Sequence, residues 1–163
     1  ENQPLWTCGA VKLSCSKVSD KNVFICNGDT FFKTDYNSLS KFHEEKEAVC
    51  TLSLKPMNNF DRYGVVELNA DNSIKSFKEK QFYQSGLING GVYALNIKEF
   101  LKEDLPVKFS FEKDYLEKKV NPQINLPAFQ TGKNQKFYGM IQDAYFIDIG
   151  IPEDYERAQI ELV

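Results

Sequence analysis

Two short apolar runs in this chain each lead into an aspartate that lies close to a glycine. Residues 23–26 precede Asn27-Gly28-Asp29, and residues 145–147 precede Asp148-Ile149-Gly150. Apolar runs of this length are typical of buried strands, and the helical patterns that flank the first run favour a parallel strand. Ligands of open α/β sheets bind beyond the carboxyl ends of the strands. The two runs therefore predict an α/β fold that holds Asp29 and Asp148 at a ligand-binding edge.

The rest of the chain alternates between helical and extended patterns. Helices are predicted over residues 7–18, 37–44, 97–102 and 111–120 and from Pro152 onward, with Thr7 and Ser110 as N-caps. Strands are predicted over residues 48–54, ending before Pro56, and over 63–68, 74–78, 87–95, 136–141 and 145–147. Residues 69–72 carry a hairpin signal, and residues 121–135 read as a polar connection. This order predicts a single domain, residues 1–163, with a three-layer mixed α/β sheet and an antiparallel insertion.

The composition argues against several classes of protein. A net charge of −3 with two arginines and no basic run disfavours nucleic-acid binding, which needs clustered cations. The four cysteines form no C-x-x-C pair and the chain has one histidine, which disfavours a zinc site. No apolar run approaches the ~18 residues of a membrane span. We therefore expect a cytoplasmic protein with reduced cysteines and with neither nucleic-acid nor membrane partners.

Asp29 and Asp148 are candidate ligands of one hard cation such as Mg²⁺. Carboxylates at two strand ends can share an ion that also binds a phosphate. Gly28 would let that ligand come close to the backbone. The residues alone leave a second interpretation open, because Asn-Gly-Asp is ordinary turn composition and Asp148 can simply terminate a strand.

Two further segments suit the binding of a sugar phosphate. Glu79 can accept hydrogen bonds from sugar hydroxyls and Lys80 can bind a phosphate, although a solvated charge pair has the same composition. Asn89-Gly90-Gly91 lies inside a predicted strand. There it forms either a β-bulge or a glycine floor under a sugar to which Asn89 donates a hydrogen bond.

Seven segments, taken together, resemble the sugar-phosphate nucleotidyltransferases in order and spacing. They are Pro4-Leu5-x-Thr7-x-Gly9-Ala10, Asn27-Gly28-Asp29, Arg62-Tyr63-Gly64-Val65-Val66, Phe77-x-Glu79-Lys80, Ile88-Asn89-Gly90-Gly91-Val92-Tyr93, Phe109-Ser110-Phe111-Glu112 and Phe146-Ile147-Asp148-Ile149-Gly150-x-Pro152-Glu153-Asp154-Tyr155. Within that family the chain is most like the D-glycero-α-D-manno-heptose 1-phosphate guanylyltransferases. Mannose-1-phosphate guanylyltransferases and glucose-1-phosphate thymidylyltransferases come next.

The resemblance implies a Rossmann-like mixed sheet and a Mg²⁺-dependent reaction between a nucleoside triphosphate and a sugar 1-phosphate. Asp29 and Asp148 match the catalytic, metal-binding aspartates of the family. The matches to its sugar-phosphate pocket are Gly64, Glu79, Lys80, Asn89 and Gly90. The matches to its nucleotide-binding segments are Glu1, Pro4, Leu5, Thr7 and Gly28. Guanine is favoured as the base by the likeness of the Pro-Leu-x-Thr stretch, and a homo-oligomer is compatible with the resemblance.

The chain departs from the family pattern in two places. The family opens with a glycine-rich loop, G-G-x-G-T-R-L, that holds the triphosphate, and this sequence contains no such segment. We therefore expect the sheet to be incomplete at its N-terminus and the isolated chain to be poorly stable. Trp6 also stands where the family has a glycine, and its ring can fill the base site. Both departures predict that the isolated chain is inactive or severely impaired.

Two other classes of function stay open at this point. A glycosyltransferase that uses a nucleotide sugar also places a metal-binding aspartate after a strand, and it would transfer sugar without pyrophosphate chemistry. A non-catalytic module that keeps the sugar-phosphate pocket would bind sugar phosphates without turnover. The segments at Glu79-Lys80 and Phe146–Tyr155 favour the nucleotidyltransferase over the glycosyltransferase.

Overall fold

A six-stranded mixed sheet forms the centre of the computed structural model, which describes residues 5–120 and 136–162. Its strands are β1 (Asn22–Cys26), β3 (Cys50–Phe60), β4 (Val65–Leu68), β5 (Ile74–Lys78), β6 (Tyr83–Asn96) and β7 (Phe137–Ile141). The order is β5-β4-β6-β3-β7, and β1 pairs with the C-terminal part of β6. The strands β2 (Thr30–Phe32) and β8 (Phe146–Asp148) form a separate antiparallel pair.

Helices flank the sheet at the positions where the sequence places helical patterns. They are α1 (Trp6–Cys15), α2 (Tyr36–Glu45), α3 (Ile97–Leu101), a π-helix (Phe111–Glu117) that continues into α4 (Lys118–Val120), and α5 (Pro152–Glu161). The predicted cap at Ser110 is confirmed, because its hydroxyl accepts a hydrogen bond from the backbone N–H of Lys113 at 3.3 Å. The predicted cap at Thr7 is wrong. Thr7 lies inside α1, and its hydroxyl accepts a hydrogen bond from Phe111 N at 3.4 Å.

Alternating side chains of β6 divide the hydrophobic core between the two faces of the sheet. Tyr93 and Leu95 pack in one cluster with residues of α1, α3 and the π-helix. Val92 and Ala94 pack in another cluster with Leu39 of α2 and residues of β2 and β8. This period of two is what a strand with both faces covered requires. The predicted three-layer α/β arrangement with a mixed sheet is therefore confirmed.

The first predicted strand is present, but its predicted direction is wrong. β1 runs antiparallel to β6, pairing Asn22 with Asn96 and Cys26 with Val92. The parallel pair among the described strands is β3 with β7. The predicted burial of this strand is wrong as well, since every residue of β1 is half-buried or exposed. Both the cover and the direction of a strand depend on neighbours that lie far away in the sequence.

Strand β3 also continues through Pro56, where the sequence predicts that it ends. Pro56 pairs with Leu87 of β6, whereas β7 pairs with β3 only from Cys50 to Leu54. At Pro56 the strand therefore has one neighbour, and a proline without an N–H donor is tolerated at such an edge. The predicted hairpin is confirmed, since β4 and β5 pair antiparallel across the turn at residues 69–73.

The glycines inside β6 mark a β-bulge, one of the two interpretations left open by the sequence. Leu52 pairs with Tyr93 and Leu54 with Asn89, so β6 carries extra residues in this stretch. Gly91 has a φ of +72°, and a Cβ there would lie 2.9 Å from the Asn27 side-chain nitrogen. At Gly90 a Cβ would lie 2.3 Å from the ring of Phe32. The bulge therefore needs both glycines.

Within the described residues, no helix has both the length and the apolar character needed to cross a bilayer.

Candidate active site

The pairing of β2 with β8 brings the two candidate aspartates together. Thr30 is the register partner of Asp148, and the backbone N–H of Ile149 donates to the carbonyl of Asp29 at 2.9 Å. Both aspartates consequently lie at the same end of this two-stranded ladder. Both also line a cavity of about 570 Å³, which is called the first cavity. The sequence placed each aspartate after a strand but did not predict β2, which is the element that connects them.

Asp148 is oriented by three hydrogen-bond donors. The hydroxyl of Tyr63 donates to Asp148 Oδ2 at 3.1 Å, and Arg62 Nη2 donates to the same oxygen at 3.4 Å. The backbone N–H of Gly150 donates to Oδ1 at 2.9 Å. Arg62 also pairs with Asp154 at the start of α5. Burial, followed by the nearby charge of Asp148, raises the pKa of Tyr63 to about 12, so the phenol stays a donor at neutral pH.

The first cavity contains most of the residues that the sequence assigned to a sugar-phosphate pocket. The predicted residues in its wall are Asp29, Gly64, Glu79, Lys80, Asn89 and Asp148. Lys78 faces the cavity too, but its ammonium pairs with Glu67 at 2.6 Å. No carboxylate of the described residues pairs with Lys80, so its charge is available to a ligand.

Several wall residues of the first cavity were not predicted from the sequence. They are Asn27, Tyr63, Glu112, Lys113 and Glu117. Burial raises the pKa of Glu117, and the carboxylate of Glu79 raises it further. Arg62-Tyr63 directly precede the predicted Gly64, and Glu112 is the second residue of the helix that Ser110 caps. These two neighbourhoods are the local sequence signals that point to Tyr63 and Glu112.

A second cavity, also of about 570 Å³, lies beside the first and shares Asn27, Asp29 and Glu112 with it. Thr7 and Gly28, two of the predicted nucleotide-binding residues, line it. Leu5 lies against Gly9 rather than in the cavity wall. The predicted residues Glu1 and Pro4 lie outside the described residues.

Trp6 differs from the expectation that its ring fills a base site. The side chain is 58% exposed, and the ammonium of Lys108 lies 4.6 Å from its ring centroid. Trp6 does not line either of the two cavities. Its backbone nevertheless has a φ of +59°, in the left-handed region that favours glycine. The resemblance implies a glycine at this position, and a glycine adopts this left-handed conformation without steric cost.

The side chain of Asn89, which the sequence predicts to donate to a sugar, makes hydrogen bonds with other protein groups in this structure. Its Nδ2 donates to the Tyr93 hydroxyl at 2.8 Å and to Glu112 Oε1 at 3.1 Å. Its Oδ1 accepts from Gly91 N at 3.1 Å. Gly90, the remaining predicted substrate-binding residue, packs against Phe32 and does not line the first cavity.

The acidic side chains of the site are the candidate ligands of a cation. In the part of the chain that the structure describes, no group of three or more His, Cys, Asp or Glu side chains converges. Asp29 and Asp148 form a set of two carboxylates. Mg²⁺ commonly uses one or two carboxylates together with substrate phosphates and water, so a pair of this kind fits that ion.

Comparison with known proteins gives this site a context. The family model described as "Nucleotidyl transferase" matches residues 1–163. The chain is 47% identical over 162 residues to D-glycero-alpha-D-manno-heptose 1-phosphate guanylyltransferase of Aneurinibacillus thermoaerophilus, covering 99% of this chain and 65% of that protein. It is 43% identical over 155 residues to the enzyme of the same name from Campylobacter jejuni, covering 95% of this chain and 62% of that protein. The chain therefore spans a little under two thirds of the length of these relatives.

A solved structure agrees with the sequence relatives. The crystal structure of HddC from Yersinia pseudotuberculosis superposes with a TM-score of 0.78 and 34% identity, covering 100% of this chain and 65% of that one. A second structure of HddC, complexed with GMP-PN, gives a TM-score of 0.77. The resemblance drawn from the seven segments is confirmed at the level of family and fold. The chain belongs to the nucleotidyl transferase family.

Proposed function

We propose that this chain belongs to an enzyme that transfers GMP from GTP to D-glycero-α-D-manno-heptose 1-phosphate, and that residues 1–163 by themselves are impaired in this reaction. A phosphate oxygen of the sugar 1-phosphate forms a bond to the α-phosphorus, the bond from that phosphorus to the bridging β-phosphate oxygen breaks, and pyrophosphate leaves. The names of the two bacterial relatives and the GMP-PN complex of HddC support this choice of base and sugar. The observation that carries the proposal is the position of Asp29 at the junction of two cavities, next to Asp148.

The two cavities suit the two substrates. The first cavity presents Lys80 to the sugar phosphate, because a lysine that pairs with no carboxylate of the described residues can neutralise a phosphate charge. Glu79 in the same wall is an acceptor for sugar hydroxyls, and Gly64 lets the wall backbone approach the Lys78 carbonyl, 2.5 Å from where a Cβ would lie. The second cavity, with Thr7 and Gly28 in its wall, takes the nucleoside. A contribution of Glu1, Pro4 and Leu5 to nucleotide binding rests on the resemblance alone. Gly90 supports the pocket from behind by allowing β6 to pack on Phe32.

Asp29 and Asp148 would hold Mg²⁺ between the two cavities. An ion held by these two carboxylates would supply positive charge that offsets the charge of the substrate phosphates. Tyr63 and Arg62 fix the Asp148 carboxylate by hydrogen bonds, which limits the reorganisation needed when substrates bind. Catalysis by this site consists mainly of positioning two substrates and compensating their negative charge.

The proposal extends to the setting of the protein. It includes a single nucleotidyltransferase domain over residues 1–163, a cytoplasmic location, assembly as a homo-oligomer, and a product used in polysaccharide biosynthesis.

Release of pyrophosphate from GTP and the heptose 1-phosphate in the presence of Mg²⁺ tests this function, with the nucleotide sugar identified by mass spectrometry. Lys80→Ala should raise the KM for the sugar phosphate. Lys75→Ala is the matched control, because Lys75 lies on β5 outside both cavities. Calorimetric binding of the sugar phosphate without turnover would instead indicate a non-catalytic module. Sugar transfer from a nucleotide sugar would indicate a glycosyltransferase.

A further inference from the structure

Three side chains from two elements form a closed set of hydrogen bonds between the cavities. Asn89 Nδ2 donates to the Tyr93 hydroxyl at 2.8 Å and to Glu112 Oε1 at 3.1 Å. The Tyr93 hydroxyl in turn donates to Glu112 Oε1 at 2.9 Å. Asn89 and Tyr93 belong to β6, whereas Glu112 belongs to the π-helix.

The donors in this set are fully used. A primary amide has two N–H donors, and those of Asn89 go to Tyr93 and Glu112. A phenol has one donor, and that of Tyr93 goes to Glu112. Tyr93 is 1% exposed, and its burial, followed by the charge of Glu112, raises its pKa well above the usual value. The phenol therefore remains protonated and continues to donate.

Glu112 is the member of this set that keeps free acceptor capacity. Both bonds from Asn89 and Tyr93 end on Oε1, and no described residue donates to Oε2. Glu112 also lines both cavities, a property that it shares with Asn27 and Asp29. A carboxylate fixed through one oxygen, with the other oxygen unused, is an oriented acceptor at the junction of the two cavities.

Resting on the proposed function, we infer that Glu112 binds a hydroxyl group of a sugar ring, and that Tyr93 and Asn89 position it. The ligand atom is a hydroxyl rather than a phosphate oxygen, because a carboxylate accepts from a hydroxyl and repels a phosphate. The hydroxyl belongs either to the ribose of the nucleotide or to the ring of the sugar 1-phosphate, since both rings carry this chemistry and both cavities reach Glu112.

Calorimetric titration of GTP, 2′-deoxyGTP, 3′-deoxyGTP and the heptose 1-phosphate tests the inference. Glu112→Gln, which keeps the size of the side chain, should weaken binding of one of the two substrates about tenfold, as loss of a hydrogen bond to a charged group predicts. A loss for the heptose 1-phosphate alone identifies the sugar ring. If the variant binds GTP more weakly than the wild type does, and binds GTP and one of the deoxy forms with equal affinity, the hydroxyl belongs to the ribose.

Tyr93→Phe separates positioning from simple structural support. It should weaken the same substrate by a smaller factor, and the double variant should bind no more weakly than Glu112→Gln alone. Glu44→Gln, on an exposed position of α2, is the matched control and should bind as wild type. If Glu112→Gln binds both substrates with wild-type affinity, the inference about Glu112 is overturned but the proposed function stands. A wild-type protein that binds neither substrate would overturn the proposed function as well.

Discussion

The hydroxyl of Tyr63 donates a hydrogen bond to Asp148 Oδ2 over 3.1 Å, and this bond links the segment before β4 to the end of β8. Arg62 strengthens the link, because its guanidinium reaches Asp148 and Asp154 together. The hydrogen bond with Asp154 raises the pKa of Arg62 above its usual value, so the arginine stays charged. One end of the proposed metal site is thereby fixed by residues that do not themselves bind the ion.

Tyr63→Phe should raise the Mg²⁺ concentration needed for half-maximal activity by about tenfold, the lower end of the range for residues that orient a metal ligand. The reason is that Asp148 Oδ2 loses one of its two side-chain donors. Tyr155→Phe, in the exposed part of α5, is the matched control and should leave the Mg²⁺ dependence unchanged. An unchanged dependence in Tyr63→Phe as well would show that the phenol does not orient Asp148.

The left-handed backbone at Trp6 predicts an unusual order of stabilities. Trp6→Gly and Trp6→Ala both remove the ring and its contact with Lys108. Because φ is +59°, the glycine variant should be more stable than the alanine variant by about 1 kcal/mol in urea unfolding. Ala10→Gly in the middle of α1 should show the reverse order, with glycine less stable by about 1 kcal/mol. Alanine more stable than glycine at position 6 would contradict the left-handed conformation.

The single histidine of the chain predicts a loss of stability in mild acid. Burial, followed by the charge of Lys21, lowers the pKa of His43 to about 4, and its Nδ1 lies 2.9 Å from the Thr51 hydroxyl. Between the ordinary histidine pKa of about 6.5 and this value, the unfolded state binds a proton that the folded state does not. The free energy of unfolding should therefore fall as the pH is lowered through this window, by about 1.4 kcal/mol per pH unit.

Urea unfolding at pH 7 and pH 5 measures this effect, with His43→Gln as the comparison. The variant should be less stable at pH 7 because it disturbs a buried site, but its stability should change much less between the two pH values. Carboxylates with lowered pKa values, such as Asp35 and Asp71, lose their contribution at lower pH than this window. Equal pH dependence in the two proteins would show that His43 is not buried as a neutral group.

The sequence predicted the elements that carry the site better than the contacts within it. Asp29 and Asp148 were each placed after a strand, because apolar runs that end at Asp and Gly are local signals. The strand β2 was not predicted, since three residues are too few for a pattern and their partner β8 lies far along the chain. The direction of β1 was wrong for the same kind of reason, because β6 determines it.

The hydrogen bonds of Asn89 show a second limit of sequence reasoning. Its place in a glycine-containing strand suggested a role at a ligand, and the side chain does line the first cavity. Its amide donors are nevertheless used by Tyr93 and by Glu112, and Glu112 belongs to a different element. Which polar groups of a site remain free for a ligand depends on such tertiary contacts, and these have no signature in the local sequence.

Binding of Mn²⁺, followed by electron paramagnetic resonance with a non-hydrolysable GTP analogue present, tests the central claim most directly. The claim is that Asp29 and Asp148 hold one divalent cation together at the end of the β2–β8 ladder. Asp29→Asn and Asp148→Asn should each weaken Mn²⁺ binding by roughly tenfold or more, since each removes a charged ligand. Asp143→Asn, an exposed aspartate that pairs with Lys55, is the control and should bind as wild type. Wild-type Mn²⁺ affinity in both site variants would contradict the account.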